Sequence, residues 1–379
     1  MGLLCFREVR GKVGHACSMA PRGSVETAPV GLRLHDRDNA LNAIRLLLAV
    51  FVVVDHSYKA ATGMPGPWAH MGDFAVEGFF AISGYLIAGS RGRMAMRPFL
   101  WRRGLRLMPA YWALLLFTAF VVAPLSTVLT PGTYDWASGA GYVVHNSLLF
   151  TTQMGIGGTP EGVAYLGLWN ASTWSLPFEA AAYVMFGLLL AMPGFGRRAA
   201  AVACVALSAA TTVQNAAGVG VNVTPDVTRL WSFFAAGVLL WFLRDRLLVS
   251  RVAGAAATVV VVATLFLDRS LYLAIAPVPV TFLLLWLGAR LPLRIGARND
   301  ISYGVYLFAF PLQQLMAVGR VPEAVGLEWF AVLSVVVTVP VAWASWLIVE
   351  RPSMRLRRLV PVSGRPSPVG TVEAVAPAQ

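Results

Sequence analysis

Long apolar runs recur along this chain, broken by short polar or arginine-bearing segments. They fall at 42–62, 74–90, 108–129, 139–153, 174–192, 199–218, 228–243, 252–268, 271–289, 300–319 and 328–349. A helix of about 20 such residues crosses a hydrocarbon layer about 30 Å thick. The pattern predicts an all-α polytopic membrane protein. Basic loops tend to stay on the cytoplasmic side, which tests the number of crossings. Arginines cluster at 91–106, 197–198, 244–251, 290–298 and 351–358, and Arg33 and Arg37 precede the first run. Placing every cluster inside pairs the runs as hairpins, except between Arg106 and Arg197, where three runs compete for two crossings. The run 139–153 is the shortest and carries His145 and Asn146, so it is read as an outside or half-inserted element. About ten transmembrane helices remain, with both termini cytoplasmic.

Composition agrees and adds boundaries. Of 379 residues, 57% are hydrophobic and 13% charged, about half the charge of a soluble domain. Residues 1–38 mix Arg, Gly, Pro and Ser without a continuous apolar core. They are expected to form a disordered cytoplasmic tail rather than a signal peptide. Residues 39–355 form the membrane domain, and 356–379, rich in Pro, Val and Ala, a second disordered cytoplasmic tail. The net charge of +12 is nearly all arginine, since Lys12 and Lys59 are the only lysines. Those arginines sit in short loops between spans, which argues against nucleic-acid binding. Cys5, Cys17 and Cys204 give no disulfide framework or CxxC pair, and the five histidines show no metal-ligand spacing, so no metal site is expected.

Several polar groups break the apolar runs. In "RLLLAVFVVVDHSYKA", Arg45 and His56 are eleven residues apart. At 100° per residue they share one helical face, separated by a rise of about 16 Å. Ionisable groups in a span are costly and usually face the bundle interior. Asp55 points away from that face and receives no catalytic role. In "VEGFFAISGYLIAGS", Glu77, Phe80, Gly84 and Ile87 share a face, and Ser83–Gly84 suits close helix packing. In "RPFLWRRGLRLMPAYW", Arg102, Arg103 and Arg106 can converge on one face, with Pro109 suited to the first turn of a helix. Arginines so placed pair phosphate oxygens well. In "NASTWSLPFEAAAYV", Ser172 or Thr173 is a helix cap and Glu179 lies one to two turns inside the span. Asn170-Ala171-Ser172 also fits an N-glycosylation acceptor. In "ISYGVYLFAFPLQQL", Tyr303 and Tyr306 share a face and Pro311 should kink the span. Glu350 adjoins Arg351 at the last boundary.

Taken in order, these stretches resemble the acyltransferase type 3 family of integral membrane acyltransferases. The family's basic residue, ten-residue gap and His are matched by Arg45 and His56. Its Phe-Phe-x-x-Ser-Gly is matched by Phe79 to Gly84, and its Arg-x-x-Arg-x-x-Pro by Arg103, Arg106 and Pro109. Its Trp-Ser-Leu-x-x-Glu is matched by Trp174 to Glu179. Ser302 to Leu307 and Glu350-Arg351-Pro352 resemble its C-terminal signatures. The ordered set covers about residues 40–355.

The resemblance implies about ten spans in a bacterial plasma membrane and transfer of an acyl group, commonly acetyl, to sugar hydroxyls of envelope polysaccharides or to macrolides. Acyl-CoA would be the co-substrate rather than a bound cofactor, its phosphates held by Arg45, Arg103 and Arg106 at the inner edge. Ser83 and Tyr303, inside matched motifs, are expected at the substrate site. His56 would act as general base or take the acyl group itself, and Glu179 would orient His56 or the acceptor. With the chain ending soon after Glu350, it is expected to lack the extracytoplasmic hydrolase-like domain fused to some members. Transfer is thus direct or needs a separate extracytoplasmic partner. Two competing readings remain: a transporter or flippase for a lipid-linked sugar, which would move substrate without consuming acyl-CoA, and an assembly partner in an envelope complex, for which Arg45 and His56 would matter only to stability.

Overall fold

The computed structural model describes residues 28–362 apart from 36–38, 68, 131, 166, 219–222 and 297–298. Among the described residues there are helices and two isolated bridges but no strand. Most of the two expected tails, with Cys5 and Cys17, lies outside them. The part of the N-terminal tail that is described is ordered: α1 (Val30–His35) buries Val30, whose N–H donates to the Leu247 carbonyl at 2.7 Å.

The first long helix, α2 (Leu41–Thr62), stops where Gly63 turns left-handed (φ 75°) and donates its N–H to the Lys59 carbonyl. That conformation is the usual glycine stop signal. Next comes α3 (Ala69–Arg91). The arginine-rich segment read as a loop proves helical: α4 (Met96–Phe117) passes through a π turn at Thr118–Val122 into α5 (Ala123–Leu129). Arg, Leu and Met are good helix formers, so the chain turns helical a dozen residues before the apolar run starts. Pro98 takes the first turn, and Pro109 lies in the helix interior. The continuous element of 34 residues is about 51 Å long, well over the thickness of the hydrocarbon.

After it, α6 (Trp136–Asn146) has 11 residues, about 16 Å, too short to cross. An irregular segment then leads to a tight turn at Ser172–Ser175 and α7 (Leu176–Leu189). There follow α8 (Arg197–Ala216), α9 (Val223–Leu243), α10 (Arg251–Thr264), α11 (Arg269–Ile275) and α12 (Pro277–Arg290). The last two are bent by 59° at their junction. The chain ends with α13 (Ser302–Val318), α14 (Val321–Val325), α15 (Leu327–Ser345), a π turn at Trp346–Glu350, α16 (Arg351–Ser353) and a last turn at Met354–Leu359.

Six helices among the described residues are long and apolar enough to cross a membrane, or seven with the bent α11–α12 pair as one span. The expected ten are reached only if α7, α10 and α13 also cross. Those helices have 14, 14 and 17 residues. The apolar runs in the sequence are longer because they take in loop residues at the helix ends.

At the centre, α13 is buried on nearly all sides, as expected of a helix that is apolar all round. It packs on α2 and α15, and Pro311 lies inside it without ending it. Beside it, α3 and α9 approach very closely: a Cβ on Gly84 would lie 2.0 Å from the Phe234 carbonyl oxygen. Glycine is required there, consistent with the small-residue packing expected for Ser83–Gly84.

Candidate functional site

The sequence puts Arg45 and His56 on one face of α2, and α2 meets α13, so both side chains point at residues distant in sequence. Arg45 Nη1 donates to Asp300 Oδ2 at 2.7 Å. Arg106 Nη2, from α4, donates to the same oxygen at 2.6 Å. The other oxygen, Oδ1, accepts from Ser302 Oγ at 2.6 Å. Asp300 precedes α13. Burial by itself pushes its carboxyl up, but the guanidiniums of Arg45 and Arg106 and the Ser302 hydroxyl outweigh that and hold it well below the usual carboxylate range.

A narrow cavity opens beside this pair, lined by Arg45, Arg106, Ser175, Glu179, Tyr303 and Tyr306, with Phe79 and Phe80 as apolar wall. Its volume is about 30 Å³, room for about two waters. Glu179 accepts from Ser83 Oγ at 3.2 Å and from the Tyr183 hydroxyl. It therefore belongs to the arginine end of the site, and neither hydrogen bond connects it to His56. Tyr303 donates its hydroxyl to the Leu107 carbonyl at 2.9 Å.

Arg103 is turned differently from the other two arginines. It donates to Ser90 Oγ at 2.7 Å and lies 5.7 Å from the ring centres of both Phe99 and Tyr183. It touches the cavity only through Tyr183, whose hydroxyl meets Glu179.

At the other end of the face, His56 is buried with its ring edge against Phe310. Its Nδ1 lies 3.2 Å from Ser172 Oγ. Ser172 was expected to cap a helix; its hydroxyl goes to His56 instead, and α7 has no side-chain cap. The Ser172 hydroxyl holds the ring through Nδ1, and Nε2 is the nitrogen that this contact leaves uncommitted. The Ser172 carbonyl accepts from the Tyr306 hydroxyl, which lies 2.7 Å from Ser175 Oγ. Tyr306 and Ser175 both line the arginine cavity. Thus one tight turn, pinned by α13, joins the two ends of the site. Asp55 is accounted for as well: it pairs with Lys59 at 2.7 Å, one turn along, and not with His56. Asn170 is buried, and its Oδ1 accepts from the Ser172 N–H at 3.0 Å, so it is a turn residue and no exposed glycosylation acceptor.

Sequence reading missed Asp300, gave Ser172 another task and used Tyr306 only as a face partner of Tyr303. Asp300 had one visible signal, a lone acid as the first residue of the run 300–319, where it also accepts from the Ser302 N–H at 3.3 Å as a helix-start residue does.

A second charged cluster lies elsewhere, on α3, α9 and α11. Glu77 is fully buried. Arg229 reaches Asp226 at 2.8 Å, Asp73 at 3.1 Å and Glu77 at 3.3 Å. Arg269 reaches Asp73 at 3.0 Å and Glu77 at 3.4 Å, and Tyr272 donates to Glu77 at 2.5 Å.

Comparison with known proteins adds the following. A family profile for an acyltransferase domain matches residues 38–347. The chain is similar to an O-acetyl transferase of Shigella phage Sf6, 27% identical over 345 residues, covering 83% of this chain and 96% of that protein. It is also similar to nodulation protein 10 of Rhizobium leguminosarum bv. viciae, 27% identical over 371 residues, covering 84% of this chain and 94% of that one. No solved structure matches.

Proposed function

The chain belongs to this acyltransferase family, and from that premise we propose that it carries an acetyl group from acetyl-CoA to a hydroxyl of a cell-envelope polysaccharide or a glycosylated metabolite such as a macrolide. The observation that carries this reading is the layout of α2. Arg45 and Arg106 share one carboxylate at the mouth of a cavity, and His56, its Nδ1 held by Ser172, lies further along the same face. The phosphates of a CoA thioester pair with the remaining N–H groups of Arg45 and Arg106. The flexible arm then runs along α2 toward His56, and its path requires the aromatic wall of the narrow cavity to move aside.

At the far end, His56 Nε2 takes the proton of the acceptor hydroxyl. The hydroxyl oxygen attacks the thioester carbonyl carbon, a C–O bond forms, the C–S bond breaks, and the leaving thiolate regains the proton from the imidazolium. Glu179 stays at the donor end, held by Ser83 and Tyr183, and helps set the shape of the cavity. In the same reading the chain crosses a bacterial plasma membrane ten times, with α7, α10 and α13 as the short crossings, and CoA enters from the cytoplasm, where both termini lie. Reporter fusions in the loops following α7 and α10 check that topology.

The decisive experiment is His56→Ala in purified, membrane-reconstituted protein, with transfer of radiolabelled acetyl from acetyl-CoA to glycan measured. Loss of a general base should cut the rate by about 10²–10⁴-fold. Unchanged transfer would refute the mechanism.

A further inference from the structure

The far side of His56 holds three buried amides whose hydrogen bonding is half complete. Gln313 and Gln314, on α13, are fully buried, and Asn170 is 3% exposed. Gln313 Nε2 donates to the Val53 carbonyl at 2.8 Å and to Ser57 Oγ at 2.9 Å. Gln314 Nε2 donates to the carbonyls of Tyr165 and Leu168, both at 2.8 Å. Asn170 Oδ1 accepts from the Ser172 N–H. Carbonyls only accept and a backbone N–H only donates, so these partners fix which way round each amide sits. What remains without a partner is Gln313 Oε1, Gln314 Oε1 and Asn170 Nδ2. A buried polar atom left so costs about 1–3 kcal/mol. Three of them in one neighbourhood need a reason.

Their neighbourhood is His56. Phe310 lies edge-on to the His56 ring and to Tyr165. Gln313 and Gln314 follow Phe310 by three and four residues, and so continue its face of α13. Val53 and Ser57, which hold Gln313, bracket His56 on α2. Asn170 anchors the turn whose Ser172 meets His56. The arginine cavity lies at the opposite end of the same path, by Tyr303 and Tyr306, more than a turn nearer the start of α13.

We propose that Asn170, Gln313 and Gln314 form a subsite for a polyhydroxylated acceptor, a sugar ring presenting neighbouring hydroxyls to His56. This rests on the acyl-transfer reading and names its acceptor class. Two carbonyl acceptors and one amide donor group match a vicinal diol, in which each hydroxyl both gives and takes a hydrogen bond. A monohydric alcohol, with one O–H to give, satisfies one carbonyl and the amide donor and leaves the other carbonyl orphaned, which is how such sites reject it. Phe310 is fully buried, so admitting a sugar requires its ring and that of Tyr165 to move aside, after which they give an apolar surface for the C–H face.

The test uses the full chain in lipid nanodiscs and the methyl glycosides of rhamnose, galactose and glucose, with ethanol as the monohydric comparison. Binding is read by saturation-transfer difference NMR, which needs no turnover. At least one glycoside should bind, and ethanol should not. Asn170→Asp keeps the oxygen that accepts from the Ser172 N–H and puts an acceptor where the amide donor stood. Gln314→Met keeps the length and removes the acceptor. Each should weaken glycoside binding about tenfold, the effect of about 1.4 kcal/mol, and raise KM for the glycoside alike, with melting temperature checking that each variant folds. Phe266→Ala, at a site 85% exposed, should leave binding as it is.

No glycoside binding to the wild type overturns the proposal, as does binding that neither folded variant weakens, in which case the amides hold ordered water only. Binding weakened by both variants, without any acetyl transfer from acetyl-CoA, upholds the subsite and refutes the acyl-transfer reading. Transfer that proceeds with KM unmoved in either variant does the reverse.

Discussion

Two charged clusters lie buried in this protein, and their stoichiometry differs. In the Asp300 cluster, Arg45 and Arg106 share one carboxylate. In the Glu77 cluster, Arg229 and Arg269 share three, Asp73, Glu77 and Asp226. A guanidinium has five N–H donors. In the first cluster most of those donors remain for something else, and they border a cavity. In the second, Arg229 is saturated with acids and lies 5.8 Å from the Trp174 ring centre. Counted by ion pairs, the first cluster holds two cations to one acid, with Glu179 on the cavity wall but paired to neither arginine. The second cluster holds two cations to three acids and ties α3, α9 and α11 together. Charge in a membrane protein is thus not by itself a mark of function; unspent hydrogen-bonding capacity is the better one.

The largest expected effect tests the fastening role. Glu77→Ala removes the fully buried carboxylate shared by Arg229, Arg269 and Tyr272 and leaves the arginines only the half-exposed Asp73 and Asp226; breaking a buried pair costs up to about 3–5 kcal/mol. Thermal unfolding in detergent should reveal this, while KM for acetyl-CoA in the surviving folded fraction stays put. A large donor KM change there would erase the distinction between the clusters. Next in size, Arg106→Ala should raise KM for acetyl-CoA about 10- to 100-fold, the worth of one or two charge-assisted hydrogen bonds. Its melting point should move less than that of Glu77→Ala. A smaller effect comes from salt: ionic strength raised from about 0.05 to 0.5 M should increase donor KM severalfold and leave the melting point nearly constant, because only one cluster meets a mobile anion. Smallest is Arg103→Ala. Its guanidinium is committed to Ser90 and two rings, so donor KM should rise only about two- to threefold. A loss matching that of Arg106→Ala would show that Arg103 turns toward the phosphates when the donor binds.

Helix content and the register of Arg45 with His56 were legible from the sequence because both are local properties of a 3.6-residue repeat. So was the special character of 139–153, whose helix is only 11 residues long. What the sequence hid lies between elements far apart. Arg45 and Asp300 are separated by 255 positions, and His56 and Ser172 by 116; no periodicity reports such pairings. The start of α4 was misplaced for another reason. Arginine was read as loop because of where it sits relative to a membrane, yet its own preference is helical. Asp55 illustrates the converse case. Its phase rightly separated it from His56, and its partner, Lys59, lay only four residues away.

The narrowness of the cavity beside Arg45 has a further consequence for the proposed reaction. A protein that joins a cytoplasmic thioester to an acceptor across the bilayer lays a polar path through an electrical insulator. A continuous water column there would short-circuit the ion gradients that power the cell. The cavity beside Arg45 has a volume of about 30 Å³, and Phe310 packs against both His56 and Tyr165, so under the proposed reaction the acyl arm has to open its own way along α2. Under the proposed reaction, opening would then be tied to the arrival of the acyl donor, and a leak of ions through the protein would be confined to that moment.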